Sequence, residues 1–128
     1  MEQLGKLESE LMELIWQRGE VSVRDLHAEL GSRLAYTTVM TTLDRLFKKG
    51  ILNRRPVHRA FYYSARANRE EYQHELTRHL LGIAADDAGS QRVVLSSFID
   101  YVSESDLALL DELDELIKAK RRSLRRQK

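Results

Sequence analysis

No cysteine occurs anywhere in the 128 residues. That excludes disulfides and thiolate metal sites and allows a reducing compartment. There is no run of about 18 apolar residues, so no transmembrane helix is predicted. The first residues carry Glu2, Glu8 and Glu10 and no signal-peptide pattern, which makes the cytoplasm the expected location. Proline occurs once, at Pro56. A nucleophile elbow, a phosphate loop and a paired-carboxylate cleft are all missing, so neither enzyme activity nor a cofactor has support. Net charge is only +1, so no global basic field points to nucleic acid. The length suits one domain or two small ones, and the 42% apolar content is enough for a core.

Charge is plentiful but segregated. Residues 45–69 hold eight Lys/Arg and no Asp/Glu, residues 104–115 six acids and no bases, and residues 118–128 seven bases and no acids. Local basic patches, rather than net charge, are the electrostatic footprint to look for.

The organising stretch is residues 36–50, YTTVMTTLDRLFKKG. Val39, Leu43 and Leu46, flanked by Phe47, fall on one helical face as a stripe for a core. The opposite face centres on Thr37, Thr41, Asp44 and Lys48, with Met40 and Arg45 beside them. Threonines at 37, 38, 41 and 42 are an odd choice for a helix, because β-branching restricts their rotamers. Short hydroxyl side chains do suit close approach to the DNA major groove, where they reach base edges, thymine methyls and phosphates. A surface helix with a threonine-rich exposed face fits the same residues. Gly50 ends the helix, with Lys48 and Lys49 in its last turn, where cations favour the dipole.

Around this stretch the sequence predicts helices over 7–18 and 22–30, each closed by glycine. Ser22 and Asp25 form a capping box for the second. Residues 20–22 read as an extended link. Residues 51–55 and 60–64 read as two strands, with 56–59 as the turn containing Pro56. Helix, helix, helix, hairpin is the order of a winged helix-turn-helix. Arg54, Arg55, His58 and Arg59 lie on the hairpin with no acid nearby, which suits a wing that clamps phosphates. A solvated turn is the plainer reading. Asp44 is best explained by pairing with Lys48 one turn on.

The second half reads as entirely helical: about 68–81 with an Asn68/Glu71 capping box, about 91–102, and a last helix to about 122 opened by Ser103/Asp106. A small polar connector spans 84–90. Leu76, Leu80, Phe98, Leu107, Leu110, Leu113 and Ile117 lie on apolar faces too broad for three short helices to bury alone, and pairing with a second copy is the economical solution. Domains of 1–66 and 67–128 are expected. His74 and His79, in HELTRH, stand about 140° apart around a helix and cannot share a metal as a zincin pair does. The expected class is therefore mainly α: an N-terminal winged helix-turn-helix followed by a C-terminal three-helix dimerisation region. The alternatives are a small module that binds a protein partner through its third helix and a winged-helix regulator released by another signal.

Jointly, LGKLESELMELIWQRGEVSVRDLHAEL, YTTVMTTLDRLFKKGIL and HRAFYYSA resemble the BlaI/MecI/CopY family of penicillinase-type repressors, over nearly the whole chain. The resemblance implies a dimeric winged-helix repressor of a palindromic operator in double-stranded DNA, joined through its C-terminal helices. It implies base or phosphate contacts from Thr37, Thr38, Met40 and Thr41, supported by Arg45, Lys48 and the wing residues Arg54, Arg55 and Arg59. Met40 is a departure, since some members carry arginine there, and its substitution removes a bidentate guanine contact. In β-lactam-responsive members a membrane sensor protease triggers cleavage within the dimer region. The matching bond here is Ser97–Phe98, with serine in place of asparagine. The C-terminal cysteine cluster of copper-responsive members is absent, which excludes copper sensing by thiolates.

Overall fold

The computed structural model describes residues 4–127. It divides into two compact units, the first ending at Arg78 and the second beginning at His79. The boundary expected from the sequence, after residue 66, falls in the loop that precedes the fourth helix. None of the helices among the described residues is long and apolar enough to cross a membrane.

In the first unit, α1 (Lys6–Arg18) buries Leu11, Met12 and Ile15 completely. Gly19 ends it with φ 92°, a conformation that favours glycine. The expected link is a short strand, β1 (Glu20–Ser22), because Val21 pairs with Tyr63 and both side chains enter the core. The Ser22 capping box of α2 (Val23–Leu30) is formed: Asp25 N–H donates to Ser22 Oγ at 3.1 Å, and Ser22 N–H donates to Asp25 Oδ2 at 2.9 Å. A 3-10 turn (Gly31–Arg33) leads into α3 (Tyr36–Lys48), whose N-cap residue Ala35 supplies no side-chain acceptor.

The hairpin consists of β2 (Leu52–Val57) and β3 (Ala60–Ala65), and the sheet order is β1-β3-β2. Pro56 belongs to β2, opposite Phe61, rather than to the turn predicted from the sequence. An edge strand accommodates a residue with no N–H to donate, so proline does not break the ladder here. The turn narrows to His58 and Arg59, and His58 takes φ 56°.

The fourth helix, α4 (Arg69–Ala84), opens with the expected capping box between Asn68 and Glu71. Its first turns lie on α1. Trp16 Nε1 donates to the Ala67 carbonyl at 3.0 Å, Tyr72 packs on the Trp16 ring, and Arg69 pairs with Glu13.

The second unit contains the end of α4, α5 (Ala88–Ser105) and α6 (Leu107–Arg126). The Ser103/Asp106 capping box does not form. Ser103 lies within α5, where its hydroxyl donates to the Asp100 carbonyl, and Asp106 caps α6 alone through Ala108 N–H. Likewise Asp87 caps α5, so the connector is shorter than predicted. Val102 is the one buried residue of this unit among those described. Phe98 is 49% exposed, Leu107 71% and Ile117 44%.

Candidate nucleic-acid interface

The α3 helix carries two opposed faces. Val39, Leu43 and Leu46 are fully buried, anchoring it against α1 and α2. Thr37, Thr38, Thr41, Arg45 and Lys48 are exposed, as is Met40, at 44%. Thr42 departs from the other threonines. It is buried, and its hydroxyl donates to the Thr38 carbonyl at 2.7 Å, satisfying itself within the helix.

The exposed face is mixed in chemistry: hydroxyls, one thioether and flanking cations. Asp44, the acid on this face, is neutralised from two sides. Lys48 Nζ lies 2.8 Å from Oδ2, and Arg54 Nη1 donates to Oδ1 at 3.2 Å. The Lys48 hydrogen bond, reinforced by Arg54 and only partly offset by desolvation, holds the Asp44 carboxyl below its ordinary value. A carboxylate so paired adds little net negative charge to this face.

The adjacent wing arginines lie on opposite faces of the hairpin, following the period of two in a strand. Arg54 shares a face with the buried Leu52. Its guanidinium is stacked 3.9 Å from the Phe47 centroid on one side and 4.2 Å from that of Phe61 on the other. Arg55 points to the other face and makes a two-pronged pair with Glu20 on β1, at 2.7 and 2.6 Å. This pair lowers the Glu20 carboxyl and raises the Arg55 guanidinium from their ordinary values. Arg59 and His58, at the wing tip, are exposed.

Between wing and α3 runs an open groove of about 500 Å³, lined in part by Arg24, Tyr36, Met40, Arg59 and Phe61. Tyr36 stands in the first turn of α3 with its ring edge-on to His27, 5.5 Å between centroids. Arg24, Tyr36 and Phe61 are absent from the set of candidate residues read from the sequence. Strand alternation places Phe61 on the same side as the buried Tyr63, and that is the signal that would have found it. Of the proposed site residues, Met40 of α3 and Arg59 of the wing line this groove, whereas Arg45 and Lys48 line another, with Lys49, Arg66 and Tyr72. The dimerisation candidates lie elsewhere, with Leu76 in the first unit and the others in the second.

Three helices, the third of them backed by the core, and a hairpin with a two-residue turn make this protein a winged helix-turn-helix. The family model of the penicillinase repressor matches residues 4–118, and the chain belongs to that family. It is 38% identical over 119 residues to the transcriptional regulator BlaI of Mycobacterium tuberculosis, covering 91% of this chain and 81% of that one. The methicillin resistance regulatory protein MecI of Staphylococcus aureus is 23% identical over 116 residues, covering 89% of each. Among solved structures, the DNA-binding domain of the repressor BlaI superposes with a TM-score of 0.50 at 32% identity, covering 55% of this chain and 88% of that domain.

Proposed function

We propose that this protein is a cytoplasmic, dimeric transcriptional repressor that reads a palindromic operator through α3 and grips its backbone with the wing. The observation that carries this reading is the exposed Thr37, Thr38, Met40 and Thr41 surface on a helix whose back is fully buried. Such a helix is held rigidly while offering donors, acceptors and an apolar tip to base edges. Arg45, Lys48 and Arg59 surround it with positive charge suited to phosphates.

The dimer reading rests on the second unit. Leu80, Phe98, Leu107 and Ile117 are exposed in the single chain, and a second copy is the partner that symmetry supplies most simply. Two linked winged helices then meet two half-sites, and the second contact is made at high effective concentration. The names of the relatives point to β-lactam resistance genes as targets. Release is assigned to cleavage of Ser97–Phe98 by a sensor protease, which would sever α6 from the DNA-binding unit. Both residues are exposed in the single chain, but they lie inside α5, so the helix must open locally before it is cut.

Selection from random duplex DNA tests the first claim. Enrichment of a two-fold symmetric sequence is expected, and failure to retain any duplex would refute it. Immunoblotting before and after induction tests the last. A full-length band persisting while target genes are expressed would rule out the proteolytic route.

A further inference from the structure

Arg54 lies on the hairpin where a phosphate clamp would be sought, yet its surroundings are those of a structural joint. Its guanidinium is stacked between Phe47 of α3 and Phe61 of β3 and donates to Asp44 of α3. Its side chain is only 25% exposed. The hairpin register explains the geometry. Arg54 pairs with Tyr63, which places Phe61 diagonally across the ladder on the same face, within reach of a long side chain. One planar cation therefore touches the recognition helix at two places and the wing at a third.

We infer that Arg54 is a positioning residue for DNA binding: it fixes the wing relative to α3 and holds the Asp44 carboxylate away from the duplex. Without it the hairpin keeps its ladder to β1 and its tie to α3 at the base, where Ile51 N–H donates to the Leu46 carbonyl, but the residues beyond that ladder lose their link to α3 and the tip is held less firmly. Arg59 at that tip then meets the backbone in many orientations rather than one. Lysine cannot substitute, because an ammonium is a point charge with no flat face to insert between two rings. Phe61 contributes to the same positioning, although it carries no charge. The inference rests on the reading of this protein as a duplex-DNA binder.

The test uses the full chain and the duplex selected by the wild type, so a wild type that selects no duplex defeats the parent reading instead. Affinity and hydroxyl-radical footprints are measured for Arg54→Ala, Arg54→Lys and Phe61→Leu. Arg54→Ala and Arg54→Lys are expected to lose about tenfold in affinity, the order of two partly desolvated cation–π contacts, and Phe61→Leu, which removes one of the two, about threefold. All three are expected to lose protection where the wing lies and to keep it where α3 lies. Phe61 lies outside the core and is 42% exposed, so its replacement by leucine is expected to leave the fold intact, and it keeps every charge. Recovery of near wild-type affinity by Arg54→Lys, or wild-type binding by Phe61→Leu, would overturn the inference, because either outcome is what a simple phosphate contact from Arg54 gives.

Discussion

The indole of Trp16, at the end of α1, donates its N–H to the main-chain carbonyl of Ala67, 51 positions further along the chain. The bond fastens the segment that enters α4 to the first helix of the winged domain, and Tyr72 closes over the same ring. It explains why the first unit extends beyond the hairpin, into α4. Replacing Trp16 with Phe keeps the ring but leaves the Ala67 carbonyl without its donor, and a loss of about 1–3 kcal/mol is expected. Arg69→Ala, by contrast, removes an exposed ion pair and should cost at most about 1 kcal/mol. Urea unfolding followed by circular dichroism compares the two, and equal losses would contradict this ranking.

The wing turn carries stored strain. His58 holds φ 56°, which costs a residue with a Cβ roughly 1–2 kcal/mol relative to glycine. His58→Gly is therefore expected to raise stability by up to about 1 kcal/mol, part of the relief being returned as lost chain entropy in the unfolded state. Thermal unfolding checks this, and a lowered midpoint would mean that the imidazole makes a contact worth more than the strain.

Glu8 joins the two ends of the DNA-binding core. Its carboxylate accepts from Gly5 N–H and from Lys49 Nζ, the latter at 2.9 Å to both oxygens. Burial alone would raise its pKa, but these hydrogen bonds outweigh it, so the group is held below the ordinary value of 4.5. A depressed carboxylate contributes stability that is complete above its unfolded pKa and is lost as pH falls through the folded one. The wild type is thus expected to lose its advantage over Glu8→Gln on acidification below about pH 4.5. Unfolding midpoints across that range supply the measurement, and a constant gap would exclude the linkage.

Thr41 faces outward from the middle of α3. Thr41→Ala is expected to change the ranking of operator variants at one base pair by about 1–3 kcal/mol. Titration against a panel of single-base variants reads this directly. A uniform loss across the panel would assign Thr41 to the backbone instead.

Leu107 and Ile117 are exposed in the single chain, so charging them should not disturb the unit that carries them. Leu107→Asp with Ile117→Asp is expected to yield helical monomers, because a buried carboxylate at a subunit interface has no partner. Analytical ultracentrifugation decides the matter. A dimer of unchanged stability would put the interface on another face.

Much of this architecture is legible in the sequence. Glycines at 19, 31 and 50 punctuate the helices, Ser22/Asp25 and Asn68/Glu71 announce two helix starts, and the apolar spacing of Val39, Leu43 and Leu46 orients α3. The role of Arg54 is not legible, and the reason is that it depends on contacts between elements. A hairpin of 51–55 against 60–64 already brings Phe61 close to Arg54, but nothing local to the hairpin shows that Phe47 and Asp44 of α3 meet the same guanidinium. The inward turn of Thr42 is legible from spacing, three residues after Val39 and four before Leu46; what the sequence does not show is that its hydroxyl is satisfied by the Thr38 carbonyl. The apolar excess after Leu76 is visible as an excess, but which of those side chains stay exposed in the single chain depends on how the helices pack, which spacing alone does not give.

Pro56 has one more consequence. The β2 strand is the outer edge of the sheet, and an exposed edge with a full row of donors and acceptors invites another chain to add itself there. Proline removes a donor from that row, and the neighbouring Arg55 brings charge to the same edge. The hairpin is thereby guarded against edge-to-edge pairing with another copy, and its open side is closed to aggregation.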